Sequence, residues 1–115
     1  MPTHEHDLLA RAREVYLAFA SGDRAAVERI LSDDFSFSSP VDAGLDRAGY
    51  FDRCWPGAGG GQQFEFVRLV QSGEEVIVTY EVKHADGHTG RNTEVLTFRG
   101  DKLCETEVYF GWNLE

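Results

Sequence analysis

Acid–base chemistry is open to Tyr16, Asp42, His84 and Glu94 in this sequence. Strand alternation places Glu94 on one face with Asn92, Leu96 and Phe98. A carboxylate in line with Leu96 and Phe98 is either buried or at the rim of a cavity. Burial without a cationic partner raises its affinity for a proton, which suits a general acid or a hydrogen-bond donor. The competing reading is a strand-end glutamate paired with Arg91 or another surface base. Tyr16 falls on the inner face of a helix, level with Ala12 and Phe19, and a buried tyrosine seeks a partner for its hydroxyl. A ligand carbonyl, Glu94 or a backbone carbonyl would each satisfy it. His84 continues the Val76–Val82 face to a hairpin end, where an imidazole could titrate near neutral pH or simply stand half exposed. Asp42 is either a turn residue or a base that reaches a pocket mouth through an inward-folded loop.

The elements that must position these groups follow from periodicity. From about His4 to Ala20, Leu8, Ala12, Val15, Tyr16 and Phe19 share a helical face. Gly22 ends that helix, and Asp23 caps a second one carrying Val27, Ile30 and Leu31. Phe35-Ser36-Phe37-Ser38 alternates as a short strand that Pro40 ends. Asp46 caps a third helix with Tyr50, Phe51 and Trp55, and Pro56 stops it. Gly57-Ala58-Gly59-Gly60-Gly61 then reads as a flexible linker. It has no P-loop lysine and is no phosphate cradle.

Four strands complete the chain: Gln63–Val70, Val76–His84, Thr93–Arg99 and Leu103–Phe110. Ser72-Gly73, Asp86-Gly87 and Gly100-Asp101 join them as tight turns, so neighbours pair antiparallel. Helices segregated on one side of such a sheet make an α+β domain, and a concave space between helix and sheet is the default place for a pocket. Arg68 alternates with Phe64, Phe66 and Val70, either as a charge on an inner face or as a sheet-edge residue. Tyr80, Phe98, Phe110, Trp55 and Trp112 read as core, pocket or interface aromatics.

Composition bounds the partners. The 115 residues form one domain, and a net charge of −9 with no basic cluster disfavours nucleic acid and anionic membranes. No apolar run reaches the roughly 18 residues of a membrane span. The N-terminal Met-Pro-Thr-His-Glu-His-Asp does not read as a signal peptide, so the expected compartment is the cytoplasm. Cys54 and Cys104 form no CxxC pair and read as small buried hydrophobes. His4, Glu5, His6 and Asp7 could collect metal adventitiously, but nothing in the chain has the spacing of a real metal site, and His88 has less claim than His84. Ser39 has no nucleophile-elbow context.

The order of elements resembles the NTF2-like superfamily, which includes ketosteroid isomerases, SnoaL-like polyketide cyclases, limonene epoxide hydrolases and scytalone dehydratases. The resemblance is carried by Tyr16-Leu17-Ala18-Phe19-Ala20-Ser21-Gly22-Asp23, by Leu31-Ser32-Asp33-Asp34-Phe35-Ser36-Phe37, by Ser39-Pro40 and by Val108-Tyr109-Phe110-Gly111. It implies a cystatin-like cone over residues 1–115, with three N-terminal helices packed on a curved antiparallel sheet. It implies a pocket lined by Phe19, Phe37, Ser39 and Trp55 from the first half, and by Tyr80, Phe98 and Phe110 from the second. No metal or organic cofactor is implied, and the sheet is the expected face of a homodimer.

Ketosteroid isomerases combine a carboxylate base before a proline with an oxyanion hole made by a tyrosine and a protonated acid, a carboxyl kept neutral by its apolar site. By resemblance, Tyr16 takes the tyrosine position and Glu94 falls at or near the acid position. The base position holds Ser39, which cannot abstract a proton near neutral pH without help. Asp42 or His84 would then move the proton. The resulting expectation is a small apolar carbonyl compound in the pocket, with isomerase- or cyclase-type acid–base chemistry. The alternatives are a non-catalytic binding or dimerisation module, and a structural domain with a collapsed interior.

Overall fold

The computed structural model describes residues 7–113. Its elements run α1 (Leu8–Ser21), α2 (Arg24–Ile30), β1 (Leu31–Ser39), β2 (Asp42–Asp46), α3 (Arg47–Arg53), a short 3₁₀ turn (Trp55–Gly57), then β3 (Gln63–Ser72), β4 (Glu75–Lys83), β5 (Thr89–Arg99) and β6 (Lys102–Asn113). Aspartates begin the helices. The side chains of Asp7, Asp23 and Asp46 accept hydrogen bonds from the backbone N–H of Ala10, Ala26 and Gly49, satisfying donors that a first turn leaves open. Gly22 ends α1 in the left-handed conformation, φ 78°, where a side chain would be strained.

The six strands form one sheet in the order β2-β1-β6-β5-β4-β3. The meander β3–β6 is antiparallel, as the turns require. The β1–β2 pair joins it through a parallel pairing of β1 with β6. The result is an α+β fold with the helices laid on a curved sheet, α1 across β3 and β4 and α3 on β1 and β2. The core lies between these layers. Val76 and Val78 of β4 are fully buried, as are Ala12 of α1 and Val27 of α2. Each such aliphatic side chain larger than alanine contributes about 1.5–3 kcal/mol by leaving water.

Several local expectations change. Residues 42–46 are a strand rather than a loop. The glycine-rich run is docked, not free: the Gly59 N–H donates to the Phe19 carbonyl at 2.8 Å, and a Cβ on Gly59 would lie 3.3 Å from the Gly22 Cα. Along β3, Phe66 pairs with Tyr80 and Arg68 with Thr79, so Val67 is an extra residue. That bulge turns the face over, leaving Arg68 and Val70 exposed while Leu69 packs inward. His4 and His6 lie outside the described residues. No described helix is long and apolar enough to cross a membrane.

Candidate active site

A cavity of about 170 Å³ opens between α1, α3 and the concave face of the sheet. Its walls are aromatic and aliphatic: Phe19 from α1, Phe35 and Phe37 from β1, Tyr50 from α3 and Phe64 from β3. Glu94 is the one acidic or basic side chain on the lining.

Sheet register explains how polar atoms enter an apolar space. Tyr80 on β4 stands directly opposite Asn92 on β5, and Glu94 stands between Val78 and Val108. Cross-strand neighbours share a face, so Tyr80, Asn92 and Glu94 all point inward. The first helix brings Tyr16 over them, its ring edge-on to Phe64 and Phe66 and tilted against Tyr80 at 5.4 Å between centroids.

The carboxylate of Glu94 is bridged by two phenols. Tyr16 Oη donates to Oε1 at 2.8 Å, and Tyr80 Oη donates to Oε2 at 2.7 Å. Asn92 Nδ2 donates in turn to Tyr80 Oη at 3.3 Å. Burial raises the Glu94 carboxyl above its ordinary range, opposed only in part by the hydrogen bonds from Tyr80 and Tyr16. Burial likewise raises the Tyr16 and Tyr80 phenols, and the Glu94 charge adds to the effect. Both phenols therefore stay protonated and act as donors. A carboxylate of raised proton affinity, fixed in place and with no cation on the cavity lining, is equipped to take up a proton and return it. Arg91 does not neutralise Glu94, because it lies on the opposite face of β5 and binds Glu81.

The other anticipated residues are dispersed. Phe19, Phe37 and Tyr80 line the cavity as expected. Phe98 is 1% exposed and belongs to the core below it, while Phe110 is 56% exposed on β6. Trp55 backs the wall by packing edge-on to Phe19 at 5.6 Å. Ser39 is outside the lining, and its Oγ accepts from the backbone N–H of Val41 and Asp42. Asp42 is also outside it, ion-paired to Arg53 at 2.8 Å. His84 lies beyond the end of β4, exposed, in the hairpin turn closed by its N–H to the His88 carbonyl. Neither Asp42 nor His84 reaches Glu94. Among the described residues, no three His, Cys, Asp or Glu side chains gather as a metal site.

Asn92 and Phe64 were on the correct strand faces in the sequence, but nothing there distinguished them from neighbours. The signal for Asn92 was its place two residues before Glu94.

A family model of the SnoaL-like domain matches residues 12–106, the span that carries Tyr16, Tyr80, Asn92 and Glu94. The chain belongs to the SnoaL-like family. No curated protein matches it. Solved structures share the fold at low identity. An NTF2-like protein of unknown function from Burkholderia pseudomallei is 21% identical, with 92% of each chain covered and a TM-score of 0.71. A protein provisionally named a ketosteroid isomerase, from Kribbella flavida, is 18% identical over 92% of this chain and 78% of its own, at a TM-score of 0.77. An uncharacterised cystatin-fold protein from Novosphingobium aromaticivorans is 19% identical over 87% and 95%, at 0.68. These likenesses place the SnoaL-like domain in the NTF2-like fold.

Proposed function

We propose that this SnoaL-like domain binds a small, largely apolar carbonyl compound in its cavity and moves a proton on it, in isomerase- or cyclase-type chemistry. The observation that carries the reading is the Glu94 carboxylate held between Tyr16 and Tyr80 in an otherwise apolar space. Glu94 removes a proton from carbon next to the carbonyl and becomes a neutral acid. The C–H electron pair forms a carbon–carbon double bond and the carbonyl π pair moves onto oxygen, giving an enolate. Tyr16, whose acceptor has just lost its charge, turns its O–H onto that oxygen, a contact that contributes about 10²–10³ in rate. Return of the proton to another carbon completes an isomerisation. Attack of the enolate carbon on a second carbonyl, whose oxygen takes the proton back from Glu94, completes a cyclisation.

Size and charge narrow the ligand. A cavity of about 150 Å³ holds benzene, so the 170 Å³ here suits a single ring with a substituent. The absence of a lining cation favours an uncharged compound over a carboxylate.

The test is exchange of acidic C–H protons for deuterium in a panel of single-ring ketones, followed by NMR. The wild type is expected to accelerate exchange, and Glu94→Gln to abolish the acceleration. Exchange that survives Glu94→Gln rules out the assigned role. A second reading, non-catalytic binding, is favoured by one observation: both phenol donors are already spent on Glu94. A ligand-induced rise in melting temperature without exchange would select it. The exposed Tyr109, Phe110 and Trp112 support a homodimer through the sheet.

A further inference from the structure

Asn92 has its side-chain amide held at both ends. Its Oδ1 accepts from the backbone N–H of Gly111 on β6 at 3.1 Å. That contact leaves Nδ2 facing Tyr80, to whose hydroxyl oxygen it donates. With its oxygen receiving that hydrogen bond, Tyr80 directs its own proton to Glu94 Oε2.

Gly111 is built for the first link. Arg91 pairs with Trp112 and Asn92 with Phe110, so Gly111 is an extra residue with no cross-strand partner. Its N–H is thus available to a side chain. A Cβ there would overlap the Arg91 carbonyl, so this approach of the two strands requires glycine.

We infer that Asn92 is a positioning residue that sets the direction of the chain Gly111 N–H, Asn92, Tyr80, Glu94, and so commits the Tyr80 proton to the carboxylate. Tyr80 then stays on Glu94 throughout the proton cycle, and Tyr16, which has no such anchor among the hydrogen bonds of the site, is the donor that turns to the ligand. Only that division of labour rests on the proposed function. The direction of the chain is a property of the unliganded protein.

The titratable groups that face Glu94 are Tyr16 from α1, Tyr80 from β4, and Tyr50 with the adjoining Cys54 from α3 and its end. None is a cation, so a change in the Tyr80 hydrogen bond reads out directly on the carboxylate.

The experiment is a ¹³C NMR titration of the Glu94 carboxyl, assigned with Glu94→Gln. Asn92→Asp keeps the shape of the side chain and the acceptor for Gly111, but replaces the donor to Tyr80 with an acceptor. Tyr80 then turns its proton away from Glu94, and the midpoint rises by about one pH unit, the size of one hydrogen bond to a charged group. The new charge alone would also raise it, so the same substitution is made in a Tyr80→Phe background. A rise that shrinks by half or more without the Tyr80 hydroxyl supports the inference. A rise of equal size in both backgrounds, or no rise, overturns it. If Asn92→Asp fails to fold, Asn92→Ala is read in the same cycle, with a smaller rise expected that vanishes in Tyr80→Phe. Loss of ketone exchange has no bearing on this titration, so failure of the catalytic reading would be seen separately.

Discussion

Tyr16 and Glu94 are 78 residues apart in the chain and 2.8 Å apart in space. The bond ties the first helix to β5, an inner strand of the meander, through a carboxylate whose proton affinity is raised by burial. That single contact joins stability to protonation.

Glu94 should make the fold less stable as pH rises. Its folded pKa lies above the ordinary value of 4.5. Folding is therefore favoured while the group is protonated, below that ordinary value, and the advantage is lost as pH climbs through the folded value. The melting temperature of wild type minus that of Glu94→Gln should fall across this window and then level off. A difference that rises with pH would contradict the assignment.

Removing either phenolic hydroxyl strips a donor from the charged carboxyl. Tyr16→Phe and Tyr80→Phe should each cost about 1.5–3 kcal/mol by denaturant melts at a pH above the titration of Glu94. The loss should be smaller below the ordinary carboxyl range, where Glu94 is neutral. In the exchange assay Tyr16→Phe should lower the rate about 10²-fold. Two variants with wild-type stability would mean the bridge contributes nothing.

The residues that sit outside the cavity should not matter to proton transfer. Asp42→Asn removes an ion pair with Arg53 that is half at the surface, a change worth about 1 kcal/mol at most. His84→Gln alters an exposed turn. Ketone exchange in both should stay within twofold of wild type. A tenfold loss in either would return it to the site.

How much of this was legible in the sequence depended on range. The face Val76, Val78, Tyr80, Val82 is buried as alternation requires, and Asp23 and Asp46 cap their helices because capping is decided within one turn. His84 failed because alternation was carried past Lys83, where the strand stops. β2 was hidden because Asp42, Gly44 and Asp46 have turn chemistry, and the strand exists only by pairing with β1. The bulge at Val67 left no local mark. Tyr16 and Glu94 were legible as inward-facing groups, but the bridging role of Tyr80 depends on cross-strand register.

The seam between Gly22 and Gly59 should resist side chains. Gly22→Ala places a Cβ 3.3 Å from the Gly59 Cα at a left-handed φ. A loss of about 1–2 kcal/mol is expected from the conformation alone, with a further loss from the crowded seam. Gly73→Ala, whose Cβ would meet nothing within 4 Å, provides the control. Equal losses in the two would show that the seam adds nothing.

The outer aromatics give a test of assembly. Phe110 and Trp112 are 56% and 63% exposed. Phe110→Asp with Trp112→Asp should convert a dimer to a monomer in light scattering after size-exclusion chromatography. A wild type that is monomeric at high micromolar concentration would refute the proposed sheet-mediated dimer.

The parallel pairing of β1 with β6 has a consequence for biosynthesis. A ribosome delivers α1, α2, β1 and β2 early, yet β1 meets the rest of the sheet only through β6, which emerges after every other strand. Tyr16, too, must wait for β5 to bring its carboxylate. The helical half thus leaves the tunnel with its apolar face uncovered, and closure of the domain is a late event that follows translation of the meander.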